Sequence, residues 1–257
     1  MWTFFHLWDV YKIESIKTVL TISLKVFKHV HSPRTADTPE RVTVKSQDIF
    51  ILLKLASLQR QEKAIIEKQS PSKMYIHGWE GWEIAPEEVD ERQLARQLLP
   101  LEQAGRYTAR GLAKDLGVGK TEVNNAIKRC IAVGMATLDR HTNRPKANFK
   151  VLREFIVYGL KYVFPAAPAE IVRGIPTSFA APVLEGRLMT AGELIYVWPD
   201  ARGKSKGQSV TPLFNSVPYA VKRDPLLYEY LALVDAIRLG SPREADLAEQ
   251  LLHERLK

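Results

Sequence analysis

The sequence predicts a mainly α fold with a small β element, followed by a proline-rich α+β C-terminal region. Three observations carry that expectation. Apolar residues recur at three- and four-residue spacing over 46–67 and 107–136, which places them on single helix faces. Turn chemistry at Asn143, Arg144 and Pro145 separates two short extended pieces, 135–138 and 147–150. Prolines then concentrate in 164–221, where helical periodicity fades, before two well-punctuated helices end the chain. The 257 residues are 46% hydrophobic and 26% charged, which excludes a collagenous, low-complexity or wholly disordered chain and allows one or two domains.

Residues 1–43 read as a poorly integrated N-terminal extension with no secretory pattern and no apolar run long enough to span a membrane, since Asp9, Lys12, Glu14, Lys17, Lys25 and Lys28 interrupt it. An upstream start is expected, with initiation at Val42 or Val44; an amphipathic surface helix over 13–30 is the competing reading. From Ser46 the pattern SQDIFILLKLASLQRQEKAIIE gives a helix capped by Ser46, with Asp48 in its first turn. A Trp- and Gly-containing insertion around 74–88 has no clear period and reads as a loop or short strand, and helical patterning resumes over 88–103. After the extended pieces a helix is expected from Asn148 to about Tyr162, and 164–221 is expected to be irregular with short strands such as 194–198. Asp224 with Pro225, and Ser241 with Pro242 and Glu244, are helix-start signals, and Gly240 ends the first of that pair.

The run YTARGLAKDLGVGKTEVNNAIKRCIAVGMA, residues 107–136, is the most informative. Thr108 can cap a short helix that buries Leu112, Ala113 and Leu116; Gly117 and Val118 turn the chain, and a second helix begins near Lys120 with Gly119 as its cap and Glu122 completing a partial capping box. Val123, Ala126, Ile127, Cys130 and Ile131 share one face of that second helix, the arrangement of a helix-turn-helix. The opposite face carries Lys120, Thr121, Asn124, Asn125, Lys128 and Arg129, side chains suited to base edges in a major groove: Asn to adenine, Arg and Lys to guanine. Arg140, His141, Arg144 and Lys146 form a basic hairpin tip, a wing whose Arg140, Arg144 and Lys146 would hold the DNA backbone. Together these features predict a winged helix-turn-helix. Lys plus Arg exceed Asp plus Glu by 37 to 29, a formal net charge of +8 that favours a polyanionic partner.

Other signals carry less. LGVGKT is not a phosphate-binding loop, because Lys114 stands where that pattern needs its first Gly and the segment follows a helix rather than a strand. Cys130, the one cysteine, reads as a small buried hydrophobe and points to a reducing, cytoplasmic setting. The six His are scattered, so neither a metal site nor a catalytic set is expected, and no cofactor. The loop with Asp200, Arg202, Lys204 and Lys206 reads as solvated, with a second phosphate contact as its alternative role.

From about Val44 onward the chain resembles bacterial winged-helix proteins described as MarR-like transcriptional regulators. The resemblance rests on the helix-turn-helix and on LREFIVYGLKYVFPA (152–166), RGIPTSFAAPVL (173–184), VWP (197–199) and LLYEYLALVDAIRLGSPREADLA (226–248); the insertion around 74–88 departs from it. It implies a sequence-specific DNA-binding regulator, not an enzyme, with the 120–129 face as reader of double-stranded DNA. The expected organisation is a 1–43 extension, a 44–150 DNA-binding domain and a 151–257 α+β region for dimerisation, ligand or partner binding. Tyr228, Leu231, Leu233, Val234 and Ile237 are expected to form either a core or the interface of a homodimer. A partner protein or a small-molecule effector is left open, and no membrane role is expected. The alternative is an antitoxin-like module that binds a partner protein and autoregulates its operon.

Overall fold

Helix α1 (Ser46–Ile66) runs through the centre of the fold, with Ile49 to Leu53, Leu55, Ala56 and Leu58 all buried. A helix apolar on nearly every side must be covered on nearly every side, and α1 is. The computed structural model describes residues 42–67, 80–83, 105–187 and 194–256. The N-terminal extension as far as residue 41, most of the 74–88 insertion and the whole of the 88–103 helical pattern lie outside the described residues. Ser46 is the first helical residue rather than the cap; Lys45 occupies the cap position, and its N–H donates to the Asp48 carboxylate at 2.9 Å.

Helices α2 (Ala109–Leu116) and α3 (Lys120–Ala132) follow, joined by a tight turn. The Thr108 hydroxyl accepts the Gly111 N–H at 3.1 Å, and Glu122 accepts the Gly119 N–H at 3.3 Å, so both helix starts have side-chain partners. Strands β1 (Ala136–Leu138) and β2 (Pro145–Ala147) pair antiparallel, Ala136 opposite Ala147 and Leu138 opposite Pro145. The second strand therefore precedes the expected 147–150. Asn148 is the reason: its side chain accepts the Val151 N–H at 3.4 Å and commits the chain to helix α4 (Phe149–Tyr158). Gly159 stops α4 short of the expected Tyr162, and a separate short helix α5 (Leu160–Val163) follows.

The stretch expected to be irregular contains strand β3 (Pro168–Thr177), a 3-10 turn at Ser178–Ala180, and strands β4 (Tyr196–Pro199) and β5 (Ser205–Val210). β3 pairs antiparallel with both others, and β4 meets β5 in parallel at Tyr196–Gln208 and Val197–Ser209, closing a three-stranded barrel. Such closure needs backbones in near contact: a Cβ on Gly174 would strike the Trp198 carbonyl oxygen, and one on Gly203 that of Gly174. Trp82, from the insertion, is buried and bridges to Gly203.

Helix α6 (Val217–Val221) leads into α7 (Pro225–Leu239) and α8 (Pro242–Arg255). α7 is the second central helix. Its Tyr228, Leu231, Leu233, Val234 and Ile237 are buried within this one chain, so they are core and not a subunit interface. Asp235 of α7 accepts Trp198 Nε1–H at 2.7 Å and the Thr177 hydroxyl at 3.0 Å and pairs with Arg238, which fastens the barrel to the helix. Residues from Thr43 onward cluster as one unit, and position 150 falls inside α4; the described parts of 44–150 and 151–257 share one core.

Candidate nucleic-acid interface

Of the thirteen residues of α3, Ile127, Arg129 and Ile131 are half-buried. Val123, Ala126 and Cys130 are buried, whereas Lys120, Thr121, Asn124, Asn125 and Lys128 are all exposed. Spacings of one, three and four residues put these five on one stripe, along a helix about 20 Å long by its 1.5 Å rise per residue. Cys130 faces the backbone of α1, and burial pushes its thiol up to about 12, so it is an inert packing group.

Arg129 departs from the expected reading face. Its side chain is only 22% exposed, and its guanidinium grips the fully buried Asp48 carboxylate with two hydrogen bonds, Nε at 2.9 Å and an Nη at 2.5 Å. A fork-to-fork pair of this kind fixes the plane and direction of the guanidinium and turns it toward α1. Arg129 is thus the clamp that fixes α3 on α1, helped by Gln47 Nε2 donating to Glu122 at 3.4 Å. Sequence spacing assigns Arg129 to the polar face because it cannot see Asp48, which lies 81 residues earlier.

The hairpin cations also separate. Arg140 is exposed at the tip. Arg144 is 28% exposed, pairs with Glu62 of α1 at 3.5 Å and lies 5.5 Å from the centroid of the Tyr107 ring. Tyr107 in turn donates to Glu62 at 3.1 Å, so Arg144 anchors the hairpin to α1 rather than standing free for a phosphate. Lys146 reaches Asp139 across the hairpin at 2.6 Å; that ammonium, with the Thr142 N–H and hydroxyl, holds the Asp139 carboxyl well below the usual carboxylate range. Lys146 stays 47% exposed while its partner Asp139 is 18% exposed, so the ammonium remains open to solvent on one side.

Two exposed cations that the sequence reading did not single out, Arg110 and Lys114, stand four residues apart on α2. Their spacing, opposite Leu112 and Leu116, was a usable signal. In the 200–206 loop, Asp200 pairs with Lys222 at 2.8 Å and Lys204 donates to the Glu80 carbonyl at 3.3 Å.

The turn between α2 and α3 is held by the C-terminal half. Gly117 has φ 65°, a left-handed conformation, and a Cβ there would meet the Tyr219 ring at 3.0 Å. The Ser216 hydroxyl donates to the Leu116 carbonyl at 2.6 Å and the Tyr219 hydroxyl to the Lys114 carbonyl at 3.1 Å, satisfying carbonyls at the end of α2.

No family model, curated protein or solved structure matches this chain. Among the described residues no group of three or more His, Cys, Asp or Glu is placed to hold a metal ion, and no helix is long and apolar enough to cross a membrane.

Proposed function

We propose that this protein is a sequence-specific DNA-binding transcriptional regulator of the winged-helix class, similar to MarR-like regulators, acting in the cytoplasm by non-covalent recognition. The carrying observation is the stripe of Lys120, Thr121, Asn124, Asn125 and Lys128, all exposed on a helix whose other side is buried. A helix of this width fits a major groove, where the two Asn amides address adenine edges and Lys128 addresses guanine or phosphate. Arg140, Lys146, Arg110 and Lys114 supply backbone contacts, which orient the reader without specifying sequence. Arg129 and Arg144 act one step back, holding the reader and the hairpin against α1. The net charge of +8 favours the same polyanionic partner.

Two copies on a palindromic site would match the twofold symmetry of many such readers. The test is selection from a pool of random duplexes with the full chain. The reading expects one enriched motif, as an inverted repeat if the protein binds as a dimer. Replacing Asn124 and Asn125 with Ala should reduce preference for that motif by about 1–3 kcal/mol per lost base contact. A pool that stays random, or a preference that the two substitutions leave intact, would overturn it.

A further inference from the structure

Arg223 lies between two residues that are both tied down. Lys222 before it is bound to Asp200 through both carboxylate oxygens, at 2.8 and 2.9 Å. Asp224 after it is fully buried and accepts from Ser57, Lys54 and the Leu227 N–H. Burial alone would raise the Asp224 carboxyl, yet the Lys54 ammonium and the hydrogen bonds outweigh it and hold it below its ordinary range. The backbone of Arg223 is therefore fixed on either side while its side chain is exposed.

That side chain is itself positioned. Its guanidinium lies 3.8 Å from the centroid of the Tyr219 ring, and one nitrogen donates to the Tyr219 carbonyl at 3.0 Å. The Tyr219 ring packs against Gly117, and its hydroxyl reaches the Lys114 carbonyl. The carboxylate closest in sequence to that contact, Asp115, is engaged by the Lys54 ammonium at 2.9 Å. The result is a planar cation spread on an aromatic face beside the turn that enters α3, with most of its five N–H donors uncommitted.

We infer that Arg223, mounted on Tyr219, is a DNA-phosphate contact that the C-terminal half contributes to the interface beside the helix-turn-helix. The inference rests on the regulator reading above. Stacking leaves the guanidinium edge for two oxygens of one phosphate, and a pre-placed Arg loses less rotamer freedom on binding than a free one. The C-terminal half is then part of the DNA-binding surface itself.

The experiment is equilibrium binding of the full chain to an enriched duplex and to an unrelated duplex over a range of salt, for wild type, Arg223→Gln and Arg223→Lys, with thermal unfolding to verify that each variant is folded. A single phosphate contact is expected to carry about 0.9 of the slope of log K against log salt. Arg223→Gln should lose that increment, weaken binding to both duplexes several-fold and by the same factor, and keep the preference between them; Arg223→Lys should restore the slope. Wild-type affinity and slope in a folded Arg223→Gln would overturn the inference alone. A loss confined to the enriched duplex would make Arg223 a base reader and overturn the phosphate assignment. Failure of the wild type to bind any duplex would overturn the regulator reading and this inference with it.

Discussion

Neighbouring cations on α3 carry opposite duties. Lys128 is exposed, whereas Arg129 holds the buried carboxylate of Asp48, which also accepts from the Lys45 N–H at the start of α1. Removing Arg129 leaves a desolvated charge without its cation, a loss of about 3 kcal/mol or more. Removing Lys128 takes away only solvated surface, within about 0.5 kcal/mol. Urea unfolding should therefore separate Arg129→Ala, strongly destabilised, from Lys128→Ala, which keeps its midpoint. Equal midpoints would mean that the Asp48 clamp does not hold α3. Another local feature has no such partner: Ser178 sits at φ 55° with its hydroxyl buried and lacking a hydrogen bond among the described residues.

Elements with local punctuation were legible in the sequence. Thr108, Gly117 and Gly119 frame α2 and α3, Asn148 starts α4, and Asp224 with Pro225 starts α7, because each of these helix ends has a capping hydrogen bond to a residue three or four positions away. β3 was not, since it is interrupted by Gly174 and Pro176 and is held by pairing with strands some twenty to forty residues later. Lys54 was equally opaque. In sequence it is a lone charge in an apolar run, and only the fold brings it to Asp224 and Asp115. The exposed stripe of α3 followed from periodicity, but assigning Arg129 to anchoring needed a partner far away in the chain. The α2–α3 turn makes the same point energetically. A Cβ at Gly117 meets both a left-handed backbone, costing about 1–2 kcal/mol, and the Tyr219 ring. Gly117→Ala should destabilise the wild type by more than it destabilises Tyr219→Ala, with a coupling of about 0.5–1 kcal/mol in a double-mutant cycle of unfolding free energies. Zero coupling would show that Tyr219 does not brace the turn.

Across the whole molecule, the α2–α3 pair and the C-terminal half are built around common supports. Lys54, 1% exposed on α1, pairs with Asp115 of α2 at 2.9 Å and with Asp224 at the start of α7 at 3.0 Å. Ser57 and Gln61 on the same face of α1 also donate to Asp224. A buried pair of this sort is costly to desolvate and is satisfied only when all three helices are in place, so α2, which bears the turn into α3, is set by the same cluster that sets α7. In the proposed function, α3 enters a major groove and its exposed stripe reads bases there. Chemical-interference mapping on an enriched duplex tests it most directly, comparing purine N7 modification in the major groove with adenine N3 modification in the minor groove. N7 modification over a few consecutive base pairs should block binding of the wild type, and this block should fade when Asn124 and Asn125 are replaced by Ala. Interference confined to adenine N3, or N7 interference unchanged in the double variant, would contradict it.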